Sequence, residues 1–230
     1  MKQLFLAPFL LAASLLGRDL HSLPVAPVNP PAGLKIADWK QILAEYERHR
    51  HTAYPDDSGY ASRNRKQQWR ARFDGRGFEI RPDGKNWRWG LELAGFSGQG
   101  GKPAASVRKN RVSYNWTAPG GQTVEEWFLN GDRGLEHGFT IPARLSGGVD
   151  LILRVRGGLK PSGSGSELRF VDPATGKDAM RYSGLKAWDA AGNVLPSTMR
   201  AGDGQTIRLT VDDRGAQYPI TIDPVAQQAY

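Results

Sequence analysis

After Pro55 apolar and polar residues alternate with period two along most of the chain. The runs 69–73, 77–81, 87–93, 111–116, 124–129, 135–141, 149–155, 168–171, 207–211 and 218–222 carry this pattern. Period two sends successive side chains to opposite faces, one toward a core and one toward water. Turn-forming segments separate the runs: 74–77, 82–84, 130–134, 172–176, 189–193 and 212–215. Each pairs an Asp or Asn that bonds its own backbone with a Gly that accepts positive φ. Ten or so short strands without helical crossovers predict an all-β fold, an antiparallel β-sandwich-like body.

One segment has the other period. In 38–50, Trp39, Ile42, Leu43 and Tyr46 fall at i, i+3, i+4 and i+7, with Lys40, Glu45, Glu47 and Arg48 off that face. This predicts an N-terminal amphipathic helix, capped by Asp38 and packed on the body. A partner-binding helix is the alternative.

The first residues read as an export signal. Lys2 precedes a thirteen-residue apolar run at 4–16, and Ala12, Ala13, Ser14 and Gly17 are small enough for a cleavage site. The run has the length of a signal core and is too short to span a bilayer, which needs ~20 residues. The expected organisation is 1–22 signal peptide or retained anchor, 23–34 proline-rich spacer, 35–104 helix plus basic Trp-rich β region, and 105–230 C-terminal antiparallel β region. The flexible stretches 97–103 and 161–166 are the two places where the body divides if it divides. A single sandwich with long loops fits the pattern nearly as well. No other segment is apolar enough to cross a membrane.

Composition narrows the chemistry. With no cysteine, disulfides, thiolate metal sites and cysteine nucleophiles are excluded. The net charge of +8 is uneven: 17 Lys+Arg stand against 9 Asp+Glu over 35–115, but 12 against 13 over 116–230. Tryptophans interleave with the early basic residues, so Arg70, Arg72, Arg88, Trp69, Trp87 and Trp89 are the candidate binding residues. Basic strands beside aromatics suit an anionic glycan or envelope polymer, with nucleic acid a poorer match for an exported chain. The plainer reading puts the Arg and Lys on a solvated face and the Trp in the core.

Catalysis finds less support. Glu125 and Glu126 are adjacent in a strand and point to opposite faces, so they form no acid–base pair. Asp132 and Glu136 are near in sequence, but nothing sets their separation. The four histidines are sparse, the Asp-rich turns lack the spaced oxygens of a calcium loop, and Ser162, Ser164 and Ser166 lack a nucleophile elbow's strand and helix. No catalytic residue, metal or cofactor is expected, and the chain reads as a non-enzyme, with a hydrolase the weakest alternative.

The stretches 67–82, 87–93, 124–141 and 218–230, closing on Ile222-Asp223-Pro224 and Gln227-Gln228-Ala229-Tyr230, resemble the N-terminal β-rich region of large exported bacterial FG-GAP repeat proteins. The resemblance covers roughly 35–230. In that family the region precedes integrin-alpha-type β-propeller repeats, which implies a non-catalytic module of a surface or adhesion-type protein. The repeats themselves are not in this sequence, so the chain is expected to be truncated before them or to work alone; repeats of its own chain, if present, are an expected partner.

Overall fold

The computed structural model describes residues 29–96, 103–118 and 120–229. The expected signal segment, the first half of the spacer and the 97–102 loop lie outside the described residues. The chain divides after Ile42, and Leu43–Tyr230 forms one compact unit. The helix spans Ile36–His49, starting two residues earlier than its pattern suggests. Of its apolar positions Trp39 and Leu43 are half-buried, while Ile36 is 62% exposed, Ile42 47% and Tyr46 42%.

The body is an all-β, antiparallel sandwich. One sheet has nine strands in the order Tyr54–Asp56, Gly59–Asn64, Trp69–Phe73, Gly77–Pro82, Trp89–Gly95, Val149–Gly157, Thr206–Val211, Ser197–Gly202 and Ser164–Gly165. The first five follow chain order, because short Asp/Gly turns favour hairpins between neighbours. The second sheet has ten strands. Its main path runs Lys160–Ser162, Leu168–Asp172, Lys177–Ser183, Val225–Gln228, Gly134–Ile141, Thr123–Gly131, Arg111–Thr117 and Ala104–Arg108. Ala187–Trp188 and Ile220–Ile222 complete it beside Gly134–Ile141.

Two boundaries differ from expectation. Trp89–Gly95 pairs with Val149–Gly157, so strands from either side of 104/105 share a sheet and no division between β regions falls at that position. The stretch 161–166, expected to be a flexible loop, carries strand instead. Pro161 pairs with Phe170 in one sheet and Ser164 with Arg200 in the other, while Gly163, at φ 107°, makes the crossing.

The inner faces meet in an aromatic core. Trp69, Phe73, Phe78, Ile80, Trp89 and Leu91 come from the nine-stranded sheet, and all are 2% exposed or less. They meet Tyr114, Phe128, Phe139, Phe170 and Tyr182 of the other sheet. Ring centroids lie 5.2 Å apart for Phe73–Phe128, 5.4 Å for Phe78–Phe128 and 4.7 Å for Trp89–Phe170. At about 25 cal/mol per Å² buried, and roughly 150–250 Å² per aromatic side chain, these rings dominate the cohesion of the sandwich.

Candidate binding face

The strand Trp69–Phe73 alternates strictly, with Trp69, Ala71 and Phe73 buried, Arg70 exposed and Arg72 half-buried. Its arginines therefore stand on the outer face of the nine-stranded sheet. Register then assembles a row. Arg70 lies directly opposite Arg63 on one side and Arg81 on the other. Arg88 immediately precedes Trp89, which pairs with Ile80, and so continues the row at its far end. With strands about 4.8 Å apart, the row of three arginines on neighbouring strands and Arg88 just ahead of the fourth spans about 14 Å.

Carboxylates only partly neutralise this row. Arg63 makes a two-pronged contact with Asp83 (2.7 Å for Nη1–Oδ1). Arg81 Nε donates to Glu79 Oε1 at 2.9 Å, and Arg88 Nε lies 3.8 Å from Glu79 Oε2. Arg70 has no acidic partner among the described residues: it donates to Tyr54 Oη at 2.8 and 3.2 Å and lies 5.7 Å from the Tyr54 ring centroid. Four guanidiniums thus share two carboxylates. Like charges directly opposite one another in a sheet are destabilising, and an arriving anion relieves that repulsion. Arg72, one residue pair along, is paired with Asp56, whose carboxyl is held below its ordinary range chiefly by the Arg72 hydrogen bond.

Of the six residues expected to bind, the structure brings Arg70, Arg72 and Arg88 to this outer face. The tryptophans separate. Trp69 and Trp89 are fully buried in the core and present no ring to a ligand, which corrects the expectation of a Trp–Arg face. They face inward because period two gives them the parity opposite to Arg70 and Arg88. Trp87 is half-buried at the sheet's rim and lines two neighbouring clefts of about 680 and 530 Å³. Sequence reasoning missed Arg63 and Arg81 as members of the row, because only cross-strand register aligns them with Arg70.

A second polar constellation lies inside the sandwich. Glu126, on Thr123–Gly131, is fully buried. Trp116 Nε1–H donates to its Oε2 at 2.8 Å, and His137 Nε2 lies 2.8 Å from its Oε1. Tyr182 Oη lies 2.9 Å from His137 Nδ1. A carboxylate accepts at both oxygens, which puts the proton on Nε2 and leaves Nδ1 to accept from the Tyr182 hydroxyl. Burial, then the Glu126 charge, pushes the Tyr182 hydroxyl well above its ordinary range. His137 stacks on Phe128, 4.9 Å between centroids. Sealed on every side, this set of four ties together four strands of the ten-stranded sheet.

The remaining carboxylates do not converge with Glu126. Glu125 pairs with Arg111 at 3.0 Å and Glu136 with Arg133 at 2.6 Å. Asp132 receives His51 at 2.9 Å as well as Arg50, and these hold its carboxyl below the ordinary range, His51 contributing most. Among the described residues no three or more His, Asp or Glu form a metal-holding group, and no helix is long and apolar enough to cross a membrane. No protein-family model matches the chain, and no curated protein is similar to it at a significant level.

Proposed function

We propose that this chain is a non-catalytic, exported β-module whose nine-stranded sheet binds an anionic polymer, an acidic glycan or envelope polysaccharide, on its outer face. The single observation that supports this most is the register-aligned row Arg63–Arg70–Arg81–Arg88, with two carboxylates for four cations. A row at sheet spacing matches a repeating anionic chain better than a single small anion. The apolar run at 4–16 supports export. The resemblance of 67–82 and 218–230 to the front region of FG-GAP repeat proteins supports a place in a surface or adhesion-type protein.

The test is a binding titration on alginate, with a neutral dextran and duplex DNA as separate arms. Alginate should bind at least tenfold more tightly than dextran. The affinity should fall as salt rises from about 0.05 to 0.3 M, because exposed charges are screened within about 10 Å at 0.1 M. The double variant Arg70→Gln/Arg81→Gln should lose about tenfold. Alginate binding that this variant and salt leave unchanged would remove the proposal, and tighter binding to DNA than to alginate would replace its ligand.

A further inference from the structure

The larger Trp87 cleft sits where turns from the two sheets meet. Gly84, Lys85 and Asn86 come from the turn between Gly77–Pro82 and Trp89–Gly95, while Thr175 and Lys177 come from the hairpin joining Leu168–Asp172 to Lys177–Ser183. Both turns are locally fixed. Gly84, at φ 62°, closes the first. Asp172 closes the second by accepting from Ala174 N–H at 3.0 Å and Thr175 Oγ1–H at 3.1 Å. Of the two acids at the cleft, Asp178 lies 3.6 Å from Arg169, while Asp172 is oriented into its own turn by neutral donors and keeps its charge. Lys85 and Lys177 line the same cleft and have no carboxylate partner among the described residues. The cleft thus combines an aromatic ring, two ammonium groups without an ion-pair partner among the described residues, the Asp172 and Asp178 carboxylates, and neutral hydrogen-bonding groups from Asn86 and Thr175.

We infer that this cleft is a saccharide subsite that takes one acidic sugar residue, stacked on Trp87 with its carboxylate held by Lys85 and Lys177. A sugar ring has an apolar face for the indole and hydroxyls for Asn86 and Thr175, and a volume of about 680 Å³ accommodates one or two such units. A carboxylated sugar answers the two lysines where a neutral sugar leaves them unmatched. Arg88 lines the neighbouring cleft together with Trp87, so the subsite is continuous with the arginine row. The inference rests on the polyanion reading for its ligand class, but on different residues for its contacts.

Digalacturonate probes the cleft, because a disaccharide is too short to engage the whole row. Its affinity for the full chain is measured by calorimetry beside that of neutral galactobiose, inorganic phosphate and polymeric alginate. The expected result is digalacturonate binding at least tenfold tighter than galactobiose or phosphate. Lys85→Ala/Lys177→Ala and Trp87→Ala should each weaken it at least tenfold while alginate affinity changes less than threefold. Arg70→Gln/Arg81→Gln should do the reverse. The lysine variant alters only exposed side chains and keeps the test decisive if Trp87→Ala fails to fold. Digalacturonate binding that is absent, or unchanged by the lysine variant, overturns the subsite while alginate binding leaves the row standing. Equal affinity for galactobiose or for phosphate overturns the acidic-sugar assignment, and loss of both digalacturonate and alginate binding in the unmodified chain overturns both readings.

Discussion

Individual residues in this fold do opposite kinds of work according to parity. Glu125 and Glu126 are neighbours, yet one meets Arg111 at the outer face and the other is sealed in the core. A buried carboxylate is tolerated only while every partner is in place, and removing one partner of such a set typically costs about 3–5 kcal/mol. His137→Ala should therefore destabilise the body by that amount in urea unfolding, whereas Glu125→Ala should cost less than about 1 kcal/mol. Asp74 gives the pH dependence. Burial on its own would raise this carboxyl, but the Arg156 guanidinium, 2.7 Å away, and further contacts from Arg76 overcome it and hold it at about 2. A lowered folded-state value means that the contribution is complete above about pH 4, the unfolded value being near 3.8, and is lost as pH falls through about 2. Asp74→Asn should accordingly be less stable than the natural chain at pH 6, and the gap should close between about pH 4 and pH 2 in a series of denaturant curves.

At the scale of strands and turns, close approach sets the tolerances. Gly138 lies directly opposite Trp127, and a Cβ there would sit 2.1 Å from the indole. Gly138→Ala must push that ring from beneath Arg111, whose guanidinium lies 4.4 Å from its centroid. The expected cost is about 1–3 kcal/mol in thermal or urea unfolding. The strands that sequence made legible are those with large apolar residues at strict alternation, such as Trp69–Phe73 and Val149–Gly157. Those it did not reveal lack that contrast. Gly59–Asn64 buries Ala61, Ser62 and Asn64, small or polar groups that carry no hydrophobic signal. Asn64 is buried there because its Nδ2 donates to Asn130 Oδ1 at 2.9 Å and Gly131 O at 2.8 Å, joining the two sheets. In Lys177–Ser183 the register shifts opposite Phe170/Val171, which puts Ala179 and Met180 in succession and breaks period two. Ala104–Arg108 is an exposed edge on which only Val107 is half-buried against the core. The candidate site was legible to the same degree: alternation places Arg70 outward and Trp69 inward. Register is a property of the folded sheet, and it alone shows that Arg63, Arg70 and Arg81 form one line.

For the whole molecule, the uneven charge acquires a location. Part of the cation excess over 35–115 lies on one outer face, where the four arginines Arg63, Arg70, Arg81 and Arg88 outnumber Asp83 and Glu79 by two. The tryptophans beside them in sequence divide between the core, at Trp69 and Trp89, and the rim, at Trp87. Without cysteine, the two large sheets are held by an extensive aromatic core together with buried hydrogen bonds and ion pairs rather than by disulfides. The most direct measurement is an amide chemical-shift titration of the isotopically labelled chain with a uronate oligosaccharide of six or more units. The shifted amides should cluster at Arg63, Arg70, Arg81 and Arg88 and extend to Trp87, while Ser113 and Thr140 on the opposite sheet stay in place. Shifts centred on the ten-stranded sheet, or none at millimolar oligosaccharide, would contradict a polyanion-binding role for the arginine row.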